Sequence, residues 1–214
     1  MSRSPAGQEE YLEQIYRLSG DGSGRVQLST LARELDVKGP SVTEMCRTLA
    51  EKGLAVYEPR NGVSLTEQGR KQAAQLIRRH RLAERMLTDM VGLPWELAHD
   101  EACKYEHVIS GKVEELLSEA LPNTCPHGNP IDGKASPAEP LTELQPGMSG
   151  EVSRIEREET QMLKYLAQLG LVPGASVEVI NQAPLNGPLL VAVGDANYAV
   201  GRDVAERVMV RRLA

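Results

Sequence analysis

The sequence predicts a mainly α protein with a small β component, arranged as a winged helix-turn-helix, a helical dimerisation segment and a small C-terminal β-barrel. Three observations predict it. Helical periodicity in the first half is interrupted by Lys38-Gly39-Pro40 and then by Asn61-Gly62, a strong hairpin signal. A Pro-, Gly- and Asn-rich stretch over 121–147, LPNTCPHGNPIDGKASPAEPLTELQPG, reads as a linker or long loop. From Met148 onward the apolar residues alternate or run at strand length. The expected divisions are 1–72, 73–140 and 141–214, with the linker in the second.

The first helix is expected over 8–19, where Tyr11, Leu12, Ile15, Tyr16 and Leu18 recur at helical spacing, and Gly20 to Gly24 ends it. Ser29 reads as the N-cap of a helix opening STLARELDV. Pro40 suits a first helical turn, so PSVTEMCRTLAEKG forms the next helix and Gly53 stops it. Strands follow at 54–58 and 63–66. Helix, helix, tight turn, helix and hairpin is the order of a winged helix-turn-helix, which places an amphipathic second helix in the DNA major groove. One long helix is then expected over 66–91, a second over 96–110 and a third over 111–120, with Val113, Leu116 and Leu117 apolar. Long amphipathic helices after a DNA-binding module bury their apolar stripe against a second subunit, so a homodimer is expected. In the last part GEVSRI, ASVEVI, LLVAVG, NYAVG and ERVMVRR read as strands, and EETQMLKYLAQLG as a helix stopped by Gly170.

Composition narrows the class. Phe is absent and aromatics are 3%, so the core rests on Leu, Val, Ile, Met and Ala. No apolar run approaches the ~20 residues of a membrane span. MSRSPAGQEE lacks the apolar centre of a signal peptide. Cys46, Cys103 and Cys125 are odd in number and widely spaced, which argues for a reducing, cytoplasmic setting rather than a disulfide framework. The net charge of −6 looks wrong for a DNA binder. Its distribution does not: residues 1–90 hold 14 Lys and Arg against 12 Asp and Glu, and the remainder 10 against 18.

The most informative stretch is HDEACKYEH, 99–107. On a helix His99, Cys103, Glu106 and His107 share a face about 100° wide, offering nitrogen, sulfur and oxygen donors suited to a transition metal. His80 and Glu84 form an i, i+4 pair on the preceding helix. The face is too wide for one ion to use all four donors. His99 is therefore expected to join His80 and Glu84, with Cys103, Glu106 and His107 forming a second site about two turns away. A charged, solvated face is the plain alternative, against which a free thiol weighs. Cys125 and His127 read as ordinary loop residues.

DEACKYEHV, RHRLAERML, KGPSVTEM and HGNPIDG together resemble the diphtheria toxin repressor family of metal-activated bacterial regulators, in order over most of the chain. The resemblance implies an SH3-like C-terminal barrel, two divalent-metal sites per subunit holding Fe2+ or Mn2+, double-stranded operator DNA as partner, and repression of metal-uptake genes. It implies an ancillary site of His80, Glu84 and His99, and a primary site of Cys103, Glu106 and His107 completed by Glu10 from the first helix. Iron-type members carry Met where this chain has Glu10, and manganese-type members a carboxylate where it has Cys103, so the site is a hybrid. Glu159, in REETQMLKY, is the best match for a barrel Glu that reaches the ancillary site. At the DNA, Glu44 replaces a glutamine and can accept from a cytosine amino group. Ser41 and Thr43 can reach phosphate or a thymine methyl, Arg47 and Arg60 anchor the backbone, and Ser29, Lys38 and Pro40 complete the DNA-facing set. Catalysis is not expected: a metalloenzyme would need a separate base and an open coordination position, and would leave the winged helix unexplained. Nor is a small organic ligand expected. A metal-independent regulator with structural zinc is the remaining alternative.

Overall fold

The computed structural model describes residues 5–20, 22–132 and 135–213. The chain packs as two compact units, up to residue 79 and from residue 80.

The first unit holds α1 (Pro5–Leu18), α2 (Leu28–Glu34), α3 (Gly39–Glu51), the hairpin β1 (Ala55–Glu58) and β2 (Gly62–Leu65), and the first half of α4 (Glu67–Asp89). Its core is the apolar stripe of each helix: Leu12 and Ile15 from α1, Leu31 from α2, and Val42, Met45, Cys46 and Leu49 from α3, closed by Val63 and Leu65. Ser29 is not a cap. Val26 and Val63 exchange backbone hydrogen bonds of 2.8 and 2.9 Å, which hold the chain extended up to Gln27, so the helix starts at Leu28 and Ser29 lies exposed within it. α3 begins as expected, with Lys38 extended and proline in the first turn. The hairpin turn also differs from expectation. Asn61 N–H donates to the Glu58 carbonyl at 3.0 Å, and the left-handed residue between them is Arg60, at φ +71°, not Asn61.

Gly69, at the start of α4, packs against the backbone of Leu54. A Cβ there would fall 1.9 Å from the Leu54 carbonyl oxygen, which already accepts from Thr66 N–H. Backbone cannot yield as a side-chain tip does. Gly69→Ala is expected to destabilise the first unit by about 3 kcal/mol, the upper end for overpacking, measured as a lower thermal midpoint; a wild-type midpoint would contradict this packing.

The second unit holds the rest of α4, α5 (Trp95–Tyr105), α6 (Gly111–Ala120), and a six-stranded antiparallel sheet with α7 (Thr160–Leu169) and the short α8 (Arg202–Ala205). The sheet comprises β3 (Glu139–Pro140), β4 (Ser149–Ile155), β5 (Ser176–Gln182), β6 (Leu189–Val193), β7 (Ala196–Val200) and β8 (Val208–Arg212), in the order β3-β8-β4-β5-β6-β7. Among the described residues no ladder joins β7 to β3, so the expected barrel is an open sheet by its pairings. Leu163 and Leu166 of α7 cover its apolar face with Val152, Val177, Val191 and Val210. Gly170 ends α7 in the left-handed region, φ +71°. Glu139 pairs with Val210, so residues 139 and 140 belong to the sheet rather than to the linker. The helical part has its own small core of Leu82, Leu87, Ala102, Ile109 and Leu117. Ser110 caps α6, its hydroxyl accepting from Val113 N–H. Met90, Val91, Val108, Val113 and Leu116 remain exposed on this part. Among the described residues no helix is long and apolar enough to cross a membrane.

The 121–132 segment is an ordered loop. Cys125 N–H donates to Asn129 O and Gly128 N–H to Cys125 O, at 2.8 and 2.9 Å, closing a tight turn. Ile155 N–H donates to the His127 carbonyl and Asn129 Nδ2 to the Ile155 carbonyl, which staple that turn to the end of β4.

Candidate metal centre

Four segments of the second unit converge on one buried cluster. α4 supplies His80 and Glu84, one turn apart and both fully buried. α5 supplies His99. The stapled loop supplies Cys125 and His127, and the turn after β4 supplies Glu158, all three buried.

Glu84 Oε1 is the hub. It lies 3.0 Å from His80 Nε2, 3.2 Å from His99 Nδ1 and 3.3 Å from His127 Nδ1. Glu158 uses its two oxygens separately: Oε2 is 3.3 Å from His99 Nδ1, while Oε1 is 3.6 Å from His127 Nδ1 and 3.8 Å from Cys125 Sγ. Two tetrads of ligand-type residues result, His80-Glu84-His99-Glu158 and Glu84-Cys125-His127-Glu158. Within each, one donor atom per residue lies within 4.8 Å of the others. His127 Nε2–H donates to the Trp95 carbonyl at 2.9 Å, which fixes the tautomer that turns the Nδ1 lone pair into the cluster.

The electrostatics are those of a site built for a cation. Burial opposes a charge on Glu84, but the charge of His80 and hydrogen bonds from His127, His80 and His99 hold its carboxyl well below the usual range. Burial likewise opposes protonation of His99, yet Glu158 and Glu84 raise it to about 9. His80 is raised well above the ordinary histidine value against its own burial, by the charge of Glu84 and by hydrogen bonds with Cys103, Glu106 and Glu84. In the ion-free protein, protons stand between donors that converge. Glu84 Oε2 is buried with no hydrogen-bond partner, a costly arrangement unless something cationic completes it. The donors therefore fit a divalent transition metal.

The expected second site does not lie two turns away. Glu106 Oε2 is 2.5 Å from His80 Nδ1, and Cys103 Sγ is 4.0 Å from the same nitrogen, so the two groups adjoin through one imidazole. The reason is that α5 ends at Tyr105. Glu106 caps it and turns inward, buried, while His107, in the following turn, holds Nε2 3.3 Å from Glu106 Oε1. Glu10 is exposed on α1, in the first unit.

Glu159 is not in the cluster. Arg157 adopts a left-handed backbone, φ +57°, which turns Glu158 inward and leaves Glu159 at the N-cap of α7, exposed and paired with Arg207 at 3.0 Å. Cys125 and His127 are not ordinary loop residues either. Their only sequence signal was a Cys and a His two apart, followed by glycine.

In the first unit, α3 turns Val42, Met45, Cys46 and Leu49 inward and leaves Pro40, Glu44 and Arg47 exposed on the other side. Thr43 Oγ1 donates to the Gly39 carbonyl at 3.1 Å, and Ser41 is half-buried. Lys38 precedes α3 and Arg60 tips the hairpin, both exposed.

Family models match along the chain in the same order: an iron-dependent repressor N-terminal DNA-binding domain over residues 6–63, an iron-dependent repressor metal-binding and dimerisation domain over 66–133, and a FeoA domain over 139–212. The iron-dependent repressor IdeR of Mycobacterium tuberculosis is 35% identical, with 96% of each chain covered. The chain belongs to the diphtheria toxin repressor family. The diphtheria toxin repressor of Corynebacterium jeikeium is 34% identical over 80% of this chain and 84% of its own. A solved manganese-dependent transcriptional repressor in complex with manganese superposes with a TM-score of 0.86 at 30% identity, covering 96% of this chain and all of the other. Within this family the winged helix is the DNA-binding module and the α4–α6 segment the metal-binding and dimerisation module. Family members are transcriptional repressors rather than enzymes.

The three thiols differ in exposure, which labelling can read. Burial pushes Cys46 up to about 11 and, with Glu84 and Glu158 nearby, pushes Cys125 well above the ordinary thiol value, whereas Cys103 is exposed. A maleimide at neutral pH is expected to label only Cys103 in the native ion-free protein and all three cysteines after unfolding. Peptide mass spectrometry checks this, and native labelling at Cys46 would contradict the packing of α3.

Proposed function

We propose that this repressor-family protein is a homodimeric, metal-activated regulator that binds operator DNA and represses metal-uptake genes, with Fe2+ or Mn2+ as the activating ion. The observation that carries the reading is the buried cluster of imidazole, carboxylate and thiol donors, in a chain that also presents an exposed recognition-helix face. Metal sites are proposed at two neighbouring places. One uses Cys103, Glu106 and His107, with Glu10 as the further carboxylate. The other is the cluster around Glu84. An ion at either place supplies positive charge to groups otherwise held together by protons. It favours the conformation in which its donors converge, and so shifts the population toward the state that binds DNA. It also offsets part of the acidic excess of residues 91–214, lowering repulsion of a polyanion.

At the DNA, Pro40, Thr43 and Glu44 present the outer face of α3 to the major groove. Ser29, Lys38, Ser41, Arg47 and Arg60 contact the phosphate backbone beside it. The exposed Met90, Val91, Val108, Val113 and Leu116 meet a second subunit. Glu10 and Glu106 suit manganese as well as iron, while Cys103 favours iron.

The test is fluorescence anisotropy of an operator-like duplex at fixed salt, with ion-free protein titrated by Fe2+ (anaerobically), Mn2+ and Zn2+. Affinity is expected to rise at least about tenfold with iron or manganese, a modest coupling free energy. Affinity unchanged by every ion would assign the cluster a structural role and overturn the reading.

A further inference from the structure

We infer that the cavity between the 121–132 loop and strands β4 and β8 binds a small organic polyanion, a metabolite carrying two or more carboxylate or phosphate groups. No small organic ligand is expected from the sequence, because the residues concerned are scattered from Arg85 to Arg211 with no motif joining them.

The cavity has a volume of about 500 Å³, within the range of sites for small organic molecules. α4 supplies Arg85, β4 supplies Ser153 and Arg154, β8 supplies Arg211, and the loop supplies Thr124 and Asp132. Of the tetrads around Glu84, only Cys125 reaches its lining. Among the described residues, three arginines thus line it against one carboxylate, that of Asp132. Arg154 and Arg211 come from residues 91–214, where acids outnumber bases 18 to 10. Their convergence therefore runs against the local composition.

The arginines are held in place and keep donors to spare. Arg85 is clamped to the loop: Nε donates to the Thr124 carbonyl at 2.8 Å and Nη2 to the Cys125 carbonyl at 3.2 Å. The Arg154 side chain is only 13% exposed and donates from Nη1 to the Ser136 carbonyl at 3.2 Å. A guanidinium offers five N–H groups. Among the described residues Arg154 uses two of them and Arg211 one. Their carboxylate partners, Glu156 and Glu151, reach solvent, so these pairs are worth little and do not saturate the guanidinium groups. The planar fork of arginine matches carboxylate and phosphate with paired hydrogen bonds. Several forks in one cavity call for more than one anionic group on the ligand. Three prolines in the lining supply an apolar wall for its carbon skeleton. A molecule seated there joins α4, the loop and both strands, and so stabilises the seated loop by mass action.

The experiment uses the full chain, freed of metal on a chelating resin so that chelation by the probes plays no part. Citrate, pyrophosphate and ADP are each titrated by calorimetry at about 0.15 M ionic strength, where long-range surface attraction is screened. Saturable binding of at least one probe, one molecule per chain, is expected. Arg154→Met and Arg211→Met should each weaken it at least about tenfold, the worth of one hydrogen bond to a charged group. Citrate alone would identify a carboxylate ligand, pyrophosphate and ADP a phosphate ligand, and either result supports the site. Arg211 is exposed, so Arg211→Met keeps the test sound should Arg154→Met fail to fold; thermal midpoints without ligand check both. Nuclear magnetic resonance locates the probe, with amide shifts expected at Ser153, Arg154 and Arg211. Shifts confined to α3 and the β1–β2 hairpin would mean capture by the DNA-facing side chains and would overturn the inference. So would unchanged affinity in both variants, or no binding of any of the three probes.

Discussion

Glu106→Ala is expected to remove metal-dependent operator binding while leaving the fold in place. Glu106 is buried at the end of α5 and joins two imidazoles: Oε2 to His80 Nδ1 at 2.5 Å and Oε1 to His107 Nε2 at 3.3 Å. Truncation deletes a proposed ligand of one site and the group that orients His80 for the other. Loss of an orienting partner alone costs about 10- to 100-fold in metal affinity, and loss of a ligand costs more. The expected result is at least a 100-fold weaker metal response in the anisotropy titration. The stability change should be smaller, about 1–3 kcal/mol, the cost of leaving a buried polar partner unsatisfied. Circular dichroism of the variant separates the two effects. Glu106→Gln keeps the side-chain volume and a hydrogen-bonding oxygen but loses the charge, so it is expected to keep the thermal midpoint and still lose the response. A full metal response in both variants would remove Glu106 from the site.

Gly128→Ala is expected to dismantle the Cys125–His127 side of the cluster without touching a ligand. Gly128 has φ +84°, and a Cβ on it would fall 2.1 Å from the Ser153 carbonyl oxygen and 2.8 Å from Arg154 Cα. Both the strained backbone, about 1–3 kcal/mol, and the clash with β4 push the loop away from the sheet. The two staples, His127 O to Ile155 N–H and Asn129 Nδ2 to Ile155 O, cannot then form together. If Cys125 and His127 serve the proposed metal place around Glu84, the variant should hold metal there more weakly, and its Trp95 fluorescence should differ, since the Trp95 ring lies against His127. Its first unit, in which Gly128 has no part, should melt as in the wild type. Unchanged metal affinity and tryptophan signal would show that the loop does not need its seat on β4.

Most of this architecture was legible because it repeats a period. The helices α1–α7 and every strand from β4 onward were expected near their observed places: α1, α6 and the strands from apolar spacing, α2 from a cap signal, and the recognition helix α3 from Gly39-Pro40 together with the hairpin after it. Elements failed at their ends, where a long-range bond decided. Ser29 lost the cap position because the Val26–Val63 pairing holds the chain extended only up to Gln27, so the helix starts at Leu28 and takes Ser29 in. The hairpin turned at Arg60 rather than Asn61. The C-terminal part reads as an open sheet whose first strand is made of residues assigned to the linker.

By itself the sequence determined the winged helix and the helical metal-binding segment, and it placed His80, Glu84 and His99 together as one donor group, since helical spacing acts over neighbouring turns. Tertiary structure alone decided three things. It put Glu158 rather than Glu159 in the cluster, because the left-handed Arg157 rotates consecutive side chains to opposite sides. It drew Cys125 and His127 out of an unpatterned loop, because backbone bonds to β4 seat that loop against α4 and α5. And it brought Glu106 and Cys103 up to His80 Nδ1, so that the two expected donor groups adjoin rather than stand two turns apart. A donor set is defined by distance between side-chain atoms, and for residues 40 to 80 positions apart that distance is fixed by packing, which no local period encodes.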